Sequence, residues 1–361
     1  MKRTYNKLHS LTPWSSSIHI LLICFLSFCF SIEQANSEEK IEIKHFAQRT
    51  GRIAFTYREK SQEDIYCLDF DSFEVYPLVT GKGDQSQARW SPDGKKLAYI
   101  SEASGKPKLL VKNIYEEELS LALGEPMKNS KKIFNTRAEL ASNTGKNITK
   151  RGLQPAWPDW SPDGAYIVFQ SKGKANKRGI YVINNDGRNL RRITKNVQAH
   201  SSPRWSPRGT EILYTSKEFW PGWDIALYEI NEKRSKTLTK GVINYTRPDW
   251  HPSGNSVAFS YGTGKEIDIW QLEKGTRATT PLIQSPGREY EPEWIALGEK
   301  LIFSAESAPG SGRYELFIWN AETSEVSAIT KSKGSIRQAS WTALPSIEHI
   351  SRKLDMASKD S

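Results

Sequence analysis

One short phrase recurs six times along the chain, and its spacing restricts the available folds more than any other feature. The clearest copy is residues 158–164, Pro-Asp-Trp-Ser-Pro-Asp-Gly, followed by the apolar run 166–169. Each copy indicates a strand that ends near tryptophan, a tight turn and a second strand. In the turn, proline presets one backbone angle and glycine supplies the positive φ that closes the hairpin. The tryptophans are Trp90, Trp160, Trp205, Trp250, Trp294 and Trp341, and the glycines of the four clearest copies are Gly94, Gly164, Gly209 and Gly254.

The copies share one register. Seven residues after each of the first five tryptophans comes an aliphatic residue, and two positions further comes an aromatic one. Successive tryptophans lie 70, 45, 45, 44 and 47 residues apart. A period near 45 residues with about four strands per unit is typical of a β-propeller blade. The longer first interval predicts an insertion of about 25 residues in the first blade, within residues 115–146.

The two ends of the repeat region complement each other. Three strand patterns, at residues 52–57, 64–69 and 74–80, have no tryptophan strand before them. Residues 338–341 form a tryptophan strand with no further strands of its kind after it. We therefore predict an all-β, six-bladed propeller over residues 52–343, in which the C-terminal strand pairs with the N-terminal strands and closes the ring. Closure protects sheet edges that would otherwise be exposed.

Residues 1–37 have the pattern of an export signal. Lys2 and Arg3 precede an apolar stretch at residues 18–32. Fifteen residues rise about 22 Å as a helix, which is short of a bilayer core of about 30 Å. We therefore expect a cleaved signal, with an uncleaved membrane tether as the alternative. Residues 38–51 read as a linker and 344–361 as a tail, and Cys67 would be the only cysteine of the mature chain, so no internal disulfide is expected.

Composition fits an ordered domain and argues against a nucleic-acid partner. The chain is 37% apolar and 25% charged, and its net charge is +10. Residues 125–151 hold seven Lys or Arg against two Glu, a net +5, so the basic excess is concentrated in one segment and does not form a stripe over a face. That segment is either a solvated loop or a patch for anionic lipid or acidic partners.

The repeat resembles that of a known family. Residues 158–164 and 179–187, with 191–194 closing the unit, are similar to the WD40-like (PD40) repeats of the TolB propeller. The resemblance covers residues 52–343. It implies a six-bladed propeller exported to the bacterial periplasm, where TolB is a binding component of the Tol-Pal envelope system. TolB has an α/β domain between signal and propeller, and only residues 38–51 occupy that interval here, so we expect this chain to lack it.

The position before each tryptophan is the first candidate for a binding site, because propellers bind ligands and partners at the mouth of the central channel. These six residues are Arg89, Asp159, Arg204, Asp249, Glu293 and Ser340. One reading is that the charges pair between neighbouring blades and only make the ring rigid. The other is a polar funnel for a peptide or a cation, with Asp159, Asp249 and Glu293 as oxygen ligands for calcium.

Signals for catalysis are weak. His200 and His251, the only histidines of the repeat region, lie at different offsets from their tryptophans, and there is no Gly-x-Ser-x-Gly or His-Glu-x-x-His motif. We therefore predict a monomeric, non-enzymatic scaffold without cofactor, which binds a protein or peptide partner in the periplasm. The alternative is a propeller enzyme of the lyase or lactonase type that uses the central channel.

Overall fold

A computed structural model describes residues 41–43, 51–123, 136–142, 145–149, 152–172, 178–195, 199–217, 222–240 and 244–344. All of them belong to one compact unit, residues 41–361. The predicted signal, the tail after Leu344 and most of the basic segment 125–151 lie outside the described residues. Within the described parts, no helix is both long enough and apolar enough to cross a membrane.

Short antiparallel strands dominate the structure, as the alternating pattern predicted. In chain order, the strands are β1 (Ile41–Ile43), β2 (Arg52–Glu59), β3 (Gln62–Asp69), β4 (Glu74–Val79), β5 (Gln85–Trp90), β6 (Lys96–Ser101), β7 (Lys108–Asn113), β8 (Lys146–Asn147), β9 (Gln154–Trp160), β10 (Tyr166–Lys172), β11 (Arg178–Asn184), β12 (Arg191–Arg192), β13 (His200–Trp205), β14 (Glu211–Ser216), β15 (Asp224–Glu229), β16 (Arg234–Thr237), β17 (Asn244–Trp250), β18 (Ser256–Thr263), β19 (Glu266–Glu273), β20 (Thr279–Ile283), β21 (Glu289–Ile295), β22 (Lys300–Glu306), β23 (Tyr314–Asn320), β24 (Val326–Ala328), β25 (Thr330–Ser332) and β26 (Ser335–Thr342). The helices are α1 (Ile114–Leu123), α2 (Arg137–Ser142) and a single 3-10 turn at Ala296–Gly298.

The strands form six four-stranded sheets, which are the blades of a β-propeller. Blade 1 is β5 to β8, blade 2 is β9 to β12, blade 3 is β13 to β16, blade 4 is β17 to β20, blade 5 is β21 to β24, and blade 6 is β26, β2, β3 and β4. In each blade the first strand of this order carries the repeated tryptophan. The innermost strands all begin on one side of the ring, here called the strand-start face, which also carries the loops between second and third strands. The tryptophan turns lie on the opposite side, the turn face.

The ring closes as predicted. β26 pairs antiparallel with β2, with Trp341 opposite Ile53 and Thr342 opposite Arg52. In addition, β1 pairs with β25, so that Ile43 lies opposite Thr330. This second pairing involves residues 41–43, which belong to the segment predicted to be a linker.

Apolar side chains form six core clusters, and each cluster lies between two adjacent blades. Trp160 of blade 2, for example, packs with Ile100 and Leu109 of blade 1. The first five repeated tryptophans are only 5 to 8% exposed, so each one fills the wedge between its own blade and the preceding one. Cys67 is fully buried in the cluster between blades 6 and 1, and burial raises the pKa of its thiol to about 12.

The turn after the tryptophan has the same backbone hydrogen bond in blades 1 to 4, where the turn glycine N donates to the carbonyl three residues earlier. In blade 2, Gly164 N donates to the Ser161 carbonyl at 2.8 Å, and Tyr166 N donates to Ser161 Oγ at 2.9 Å. Gly164 has a φ of 68°, and the turn glycines of blades 1, 3 and 4 have values between 67° and 73°. This left-handed conformation explains why glycine recurs at the position.

Two helices occupy the interval between β7 and β8, and the sequence pattern did not predict them. They are attached through buried charges. Arg52 Nη1 of β2 donates to Glu118 Oε1 at 2.8 Å, and Lys112 Nζ lies 3.3 Å from Glu117 Oε2. These four side chains are at most 4% exposed, so buried ion pairs fix α1 between blades 6 and 1.

Candidate functional site

Each innermost strand contains a β-bulge three residues before its tryptophan. Pairing with the second strand skips a register there in all six blades. The residue at the bulge has φ between 49° and 60°, a left-handed conformation that residues other than glycine adopt rarely. These residues are here called the bulge ring, and they are Gln87, Trp157, Ser202, Arg247, Glu291 and Gln338.

The bulge lies opposite a buried aromatic side chain of the second strand. This is the aromatic residue nine positions after tryptophan in the first five copies, for example Phe169 opposite residues 157–158. In blade 6 the corresponding residue is Phe55, from the N-terminal part of the chain. The sixfold repetition indicates that the strained backbone belongs to the architecture of the ring, while the side chains that it presents differ from blade to blade.

The six site residues predicted from the sequence follow the bulge residue by two positions on each innermost strand. They are here called the salt-bridge ring. The structure brings its charged members together around Arg204. The guanidinium of Arg204 lies 3.3 Å from Asp159 Oδ1, 3.4 Å from Asp249 Oδ1 and 3.5 Å from Glu293 Oε2. Arg89 Nη1 also donates to Glu293 Oε2. All five side chains are 11 to 16% exposed.

The acceptors of the salt-bridge ring also bind the backbone of the next blade. Asp159 Oδ2 accepts from Trp205 N at 2.8 Å, and Asp249 Oδ2 accepts from Trp294 N at 2.9 Å. Glu293 accepts in the same way from Trp341 N at 2.7 Å. The sixth member, Ser340, accepts from Trp90 N through its hydroxyl at 3.1 Å. These contacts provide the pairing between blades that one of the two readings of the ring predicted, whereas contact of the ring with a partner stays a prediction.

Burial dominates the electrostatics of the salt-bridge ring. It lowers the pKa of Arg89 to about 9, and repulsion by Arg204 acts in the same direction. Burial raises the pKa of Asp249 above its usual range, although Arg204 opposes this effect. Two arginines face three carboxylates here, so the ring has one excess negative charge. Among the residues that the structure describes, no group of three or more His, Cys, Asp or Glu is arranged to hold a metal ion, and calcium binding stays a prediction.

A small cavity of about 20 Å³, enough for about one water molecule, lies in the channel between the two rings. Its walls include one proline from each of blades 2 to 5, at the position between the two rings. Its polar and aromatic lining comes from Arg89 and Arg204 of the salt-bridge ring and from Trp157, Ser202, Arg247 and Glu291 of the bulge ring. The bulge ring was not among the sequence-predicted site residues. Its signal in the sequence is the fixed offset of three residues before each tryptophan.

The bulge ring contains a second charged cluster. The guanidinium carbon of Arg247 lies 3.5 Å from the ring centroid of Trp157, which comes from a blade two positions away. Small Ser202 occupies the intervening blade. Glu291 is 6% exposed and lies 3.1 Å from Arg337 Nη2 and 3.9 Å from Arg247 Nη1. Burial acts to raise the pKa of Glu291, but the two arginines outweigh it, and the pKa is lowered.

Neither histidine belongs to the bulge ring or the salt-bridge ring. His200 is 2% exposed and packs edge-on against Tyr214, and burial lowers its pKa to about 4. His251 lies in the tryptophan turn of blade 4, where its Nδ1 is 2.8 Å from Ser253 Oγ. Both positions agree with a structural role in the core and in a turn.

No family model matches the sequence. The chain is 26% identical over 144 residues to a protein TolB homolog of Chlorobaculum tepidum, and this match covers 40% of this chain and 27% of that protein. It is 25% identical over 144 residues to the Tol-Pal system protein TolB of Desulfosudis oleivorans, and this match covers 40% of this chain and 26% of that protein. The matched region therefore spans about a quarter of the length of these relatives. The crystal structure of TolB from Acinetobacter baumannii superimposes with a TM-score of 0.65 at 20% identity, over 82% of this chain and 67% of that chain.

The chain forms a TolB-like six-bladed β-propeller. The TolB-like propeller shares its fold with enzymes as well. An oligogalacturonate lyase in complex with manganese superimposes with a TM-score of 0.53 at 11% identity, over 80% of this chain and 77% of that chain. Identity at this level supports a common fold and no common activity.

Proposed function

We propose that the TolB-like propeller is an exported, non-enzymatic scaffold of the bacterial cell envelope that binds a protein partner through a peptide segment at the channel mouth. The relative from Desulfosudis oleivorans is named a Tol-Pal system protein, which supports a role in the envelope. The predicted export signal supports a periplasmic location. The uncleaved, membrane-tethered form is the alternative location, and N-terminal sequencing of the mature protein distinguishes the two.

The observation that carries the proposal is the composition of the bulge ring. Trp157, Arg247 and Glu291 line a channel cavity whose backbone is held by six repeated bulges. Tryptophan and arginine are enriched among the residues that contribute most to protein-protein binding, especially in partly desolvated pockets. A rigid backbone also reduces the entropy that binding costs. The cavity is too small to take in a folded domain, so the partner would contact these residues through a peptide segment at the channel mouth.

The salt-bridge ring argues for a scaffold over an enzyme. Its carboxylates each bind an arginine and a backbone N–H of the next blade. A general base or metal ligand needs a carboxylate that is available to substrate or metal. The lyase alternative is favoured only by the shared fold with the oligogalacturonate lyase. Incubation with oligogalacturonate and manganese tests it, and we expect no product that absorbs in the ultraviolet from a newly formed carbon-carbon double bond.

Site-specific photocrosslinking tests the scaffold. A benzophenone amino acid replaces Trp157 in the full-length protein, and the matched control places it at Leu297, which is 89% exposed in a turn on the opposite face. After irradiation in envelope extract, we expect a discrete adduct from position 157 and none from position 297. An adduct only from position 297, or none from either, would refute binding at the channel mouth.

A further inference from the structure

The charged cluster of the bulge ring is unevenly matched. Arg247 and Arg337 both face Glu291, and no other carboxylate forms an ion pair with either arginine among the described residues. Glu291 is fully engaged, because its Oε2 accepts from Gln338 N at 2.9 Å while its Oε1 accepts from Arg337 Nη2 at 3.1 Å. The cluster therefore has one excess positive charge and more N–H donors than acceptors.

Arg247 has the larger share of unused donors. Its closest approach to Glu291 is 3.9 Å, and it donates no hydrogen bond to any residue that the structure describes. Its Nη1 is enclosed and has no hydrogen-bond partner among the described residues, although the side chain as a whole is 27% exposed. Stacking on Trp157 at 3.5 Å fixes the plane of the guanidinium. A guanidinium held in one plane with unsatisfied donors is preorganised for a planar acceptor.

Arg337 contributes from the adjacent position on the strand-start side. Its guanidinium lies 5.0 Å from the ring of Tyr290 and 4.8 Å from the ring of Tyr314. Its Nε is also buried without a hydrogen-bond partner in the described structure. Both arginines thus have an aromatic wall on one side and an enclosed donor that the protein itself does not satisfy. Such donors are costly to bury unless a ligand satisfies them.

We propose that Arg247 and Arg337 bind a carboxylate of the partner peptide at the strand-start mouth of the channel, between the aromatic side chains of Trp157 and Tyr290. This inference rests on the proposed function and specifies the chemistry of the partner. The excess positive charge disfavours a cation at this level of the channel. The planar, two-oxygen geometry of a carboxylate matches the guanidinium fork. The carboxylate comes either from an Asp or Glu side chain or from the C-terminus of the partner.

Arginine side-chain NMR tests the inference directly. The full-length protein is labelled with 15N-arginine, and the Nε–Hε signals of Arg247 and Arg337 are assigned through their loss in the R247K and R337K variants. The probes are Ac-Gly-Glu-Gly-NH2 for a side-chain carboxylate, Ac-Gly-Gly-Gly-OH for a terminal carboxylate, Ac-Gly-Gln-Gly-NH2 as neutral isostere, and inorganic phosphate. We expect at least one carboxylate peptide to shift both signals in a saturable manner, and the glutamine peptide to shift neither. The more effective of the two carboxylate peptides identifies the source.

Three variants separate binding from a structural role. Arg247→Gln should weaken the carboxylate peptide about tenfold or more, because a charge-assisted pair is lost. Glu291→Gln should strengthen it, because the competing internal charge is removed and the single amide oxygen, if it accepts from Gln338 N, leaves Arg337 Nη2 free for the peptide. Arg188→Gln, which removes a charge from a side chain that is 82% exposed in a turn on the opposite face, should have no effect.

Several outcomes would overturn the inference. These are equal shifts with the glutamine and glutamate peptides, shifts with phosphate only, or weaker binding in Glu291→Gln while its near-ultraviolet circular dichroism is unchanged. If these results occur while the photocrosslink at position 157 persists, the scaffold proposal stands and only the carboxylate chemistry is wrong. If the crosslink is absent as well, both proposals are wrong.

Discussion

Removal of Arg204 is the sharpest test of how the channel is held together. Its guanidinium is within 3.5 Å of carboxylate oxygens from three other side chains, and these side chains are 11 to 16% exposed. Arg204→Met keeps most of the volume and removes the charge. Asp159, Asp249 and Glu293 would then face each other with Arg89 as the one remaining cation of the ring.

Loss of one partner from a buried ion pair costs about 3–5 kcal/mol, because the other charge stays buried without compensation. Hydrogen bonds from Trp205 N and Trp294 N still stabilise the two aspartates, so we expect the lower part of that range, about 3 kcal/mol, at pH 7. The sign of the pH dependence follows from the pKa of Asp249. Burial already raises it, and removal of Arg204 raises it further.

A carboxyl group whose pKa is higher in the folded than in the unfolded protein stabilises the fold fully below the unfolded value and loses this contribution as pH rises through the folded value. The variant should therefore approach the wild type below about pH 4 and be most destabilised at neutral pH and above. Adding Asp249→Asn to Arg204→Met should recover part of the loss at pH 7, since one of the unpaired charges is removed.

The assay is urea unfolding followed by tryptophan fluorescence and, as a check of two-state behaviour, by far-ultraviolet circular dichroism. Arg234→Met is the matched control, because Arg234 pairs with Glu229 on an outer strand and its side chain is 68% exposed. We expect no measurable change in that variant. Equal stability of Arg204→Met and wild type at pH 7, or a loss that does not depend on pH, would refute the proposed energetic role of the ring.

Three further predictions concern the blades themselves. Trp160→Ala should destabilise the protein by about 3–5 kcal/mol in the same urea assay, because the side chain is 5% exposed between blades 1 and 2; a loss below about 1 kcal/mol would contradict this packing role. Burial raises the pKa of Glu289 to about 7, so Glu289→Gln should be more stable than wild type by on the order of 1 kcal/mol at pH 8. The advantage should vanish below about pH 4.5, and a difference that does not depend on pH would argue against a buried, protonated carboxyl group. Gly51→Ala should lower the thermal midpoint more than Gly105→Ala, since both glycines have positive φ but only a Cβ at Gly51 would lie 2.3 Å from the Trp341 ring; equal midpoints would show that the closing blade tolerates the displacement.

The fold was predictable because the blades repeat one local sequence pattern. The tryptophan, the Ser-Pro-Asp-Gly type of turn and the aromatic residue nine positions later all act within one hairpin, so the sequence alone indicates their partners. Ring closure followed from the same repetition, because an orphan tryptophan strand at one end and three orphan strands at the other have one natural pairing. The pairing of β26 with β2, in which Trp341 lies opposite Ile53, confirms that inference.

The helices α1 and α2 and the cluster around Glu291 were not predictable in this way. Lys112 and Glu117 are buried because α1 packs between blade 1 and the neighbouring blade 6, a contact that the local sequence pattern does not contain. In the same way, Arg247 meets Trp157 across a distance of two blades, about 90 residues along the chain, because both lie at bulges that face one channel. A repeating sequence determines the geometry that all blades share, through hydrogen bonds and packing within each hairpin. Tertiary closure of the ring decides which unlike side chains meet in the channel. Only that closure brings charges from distant blades within contact distance and removes them from water.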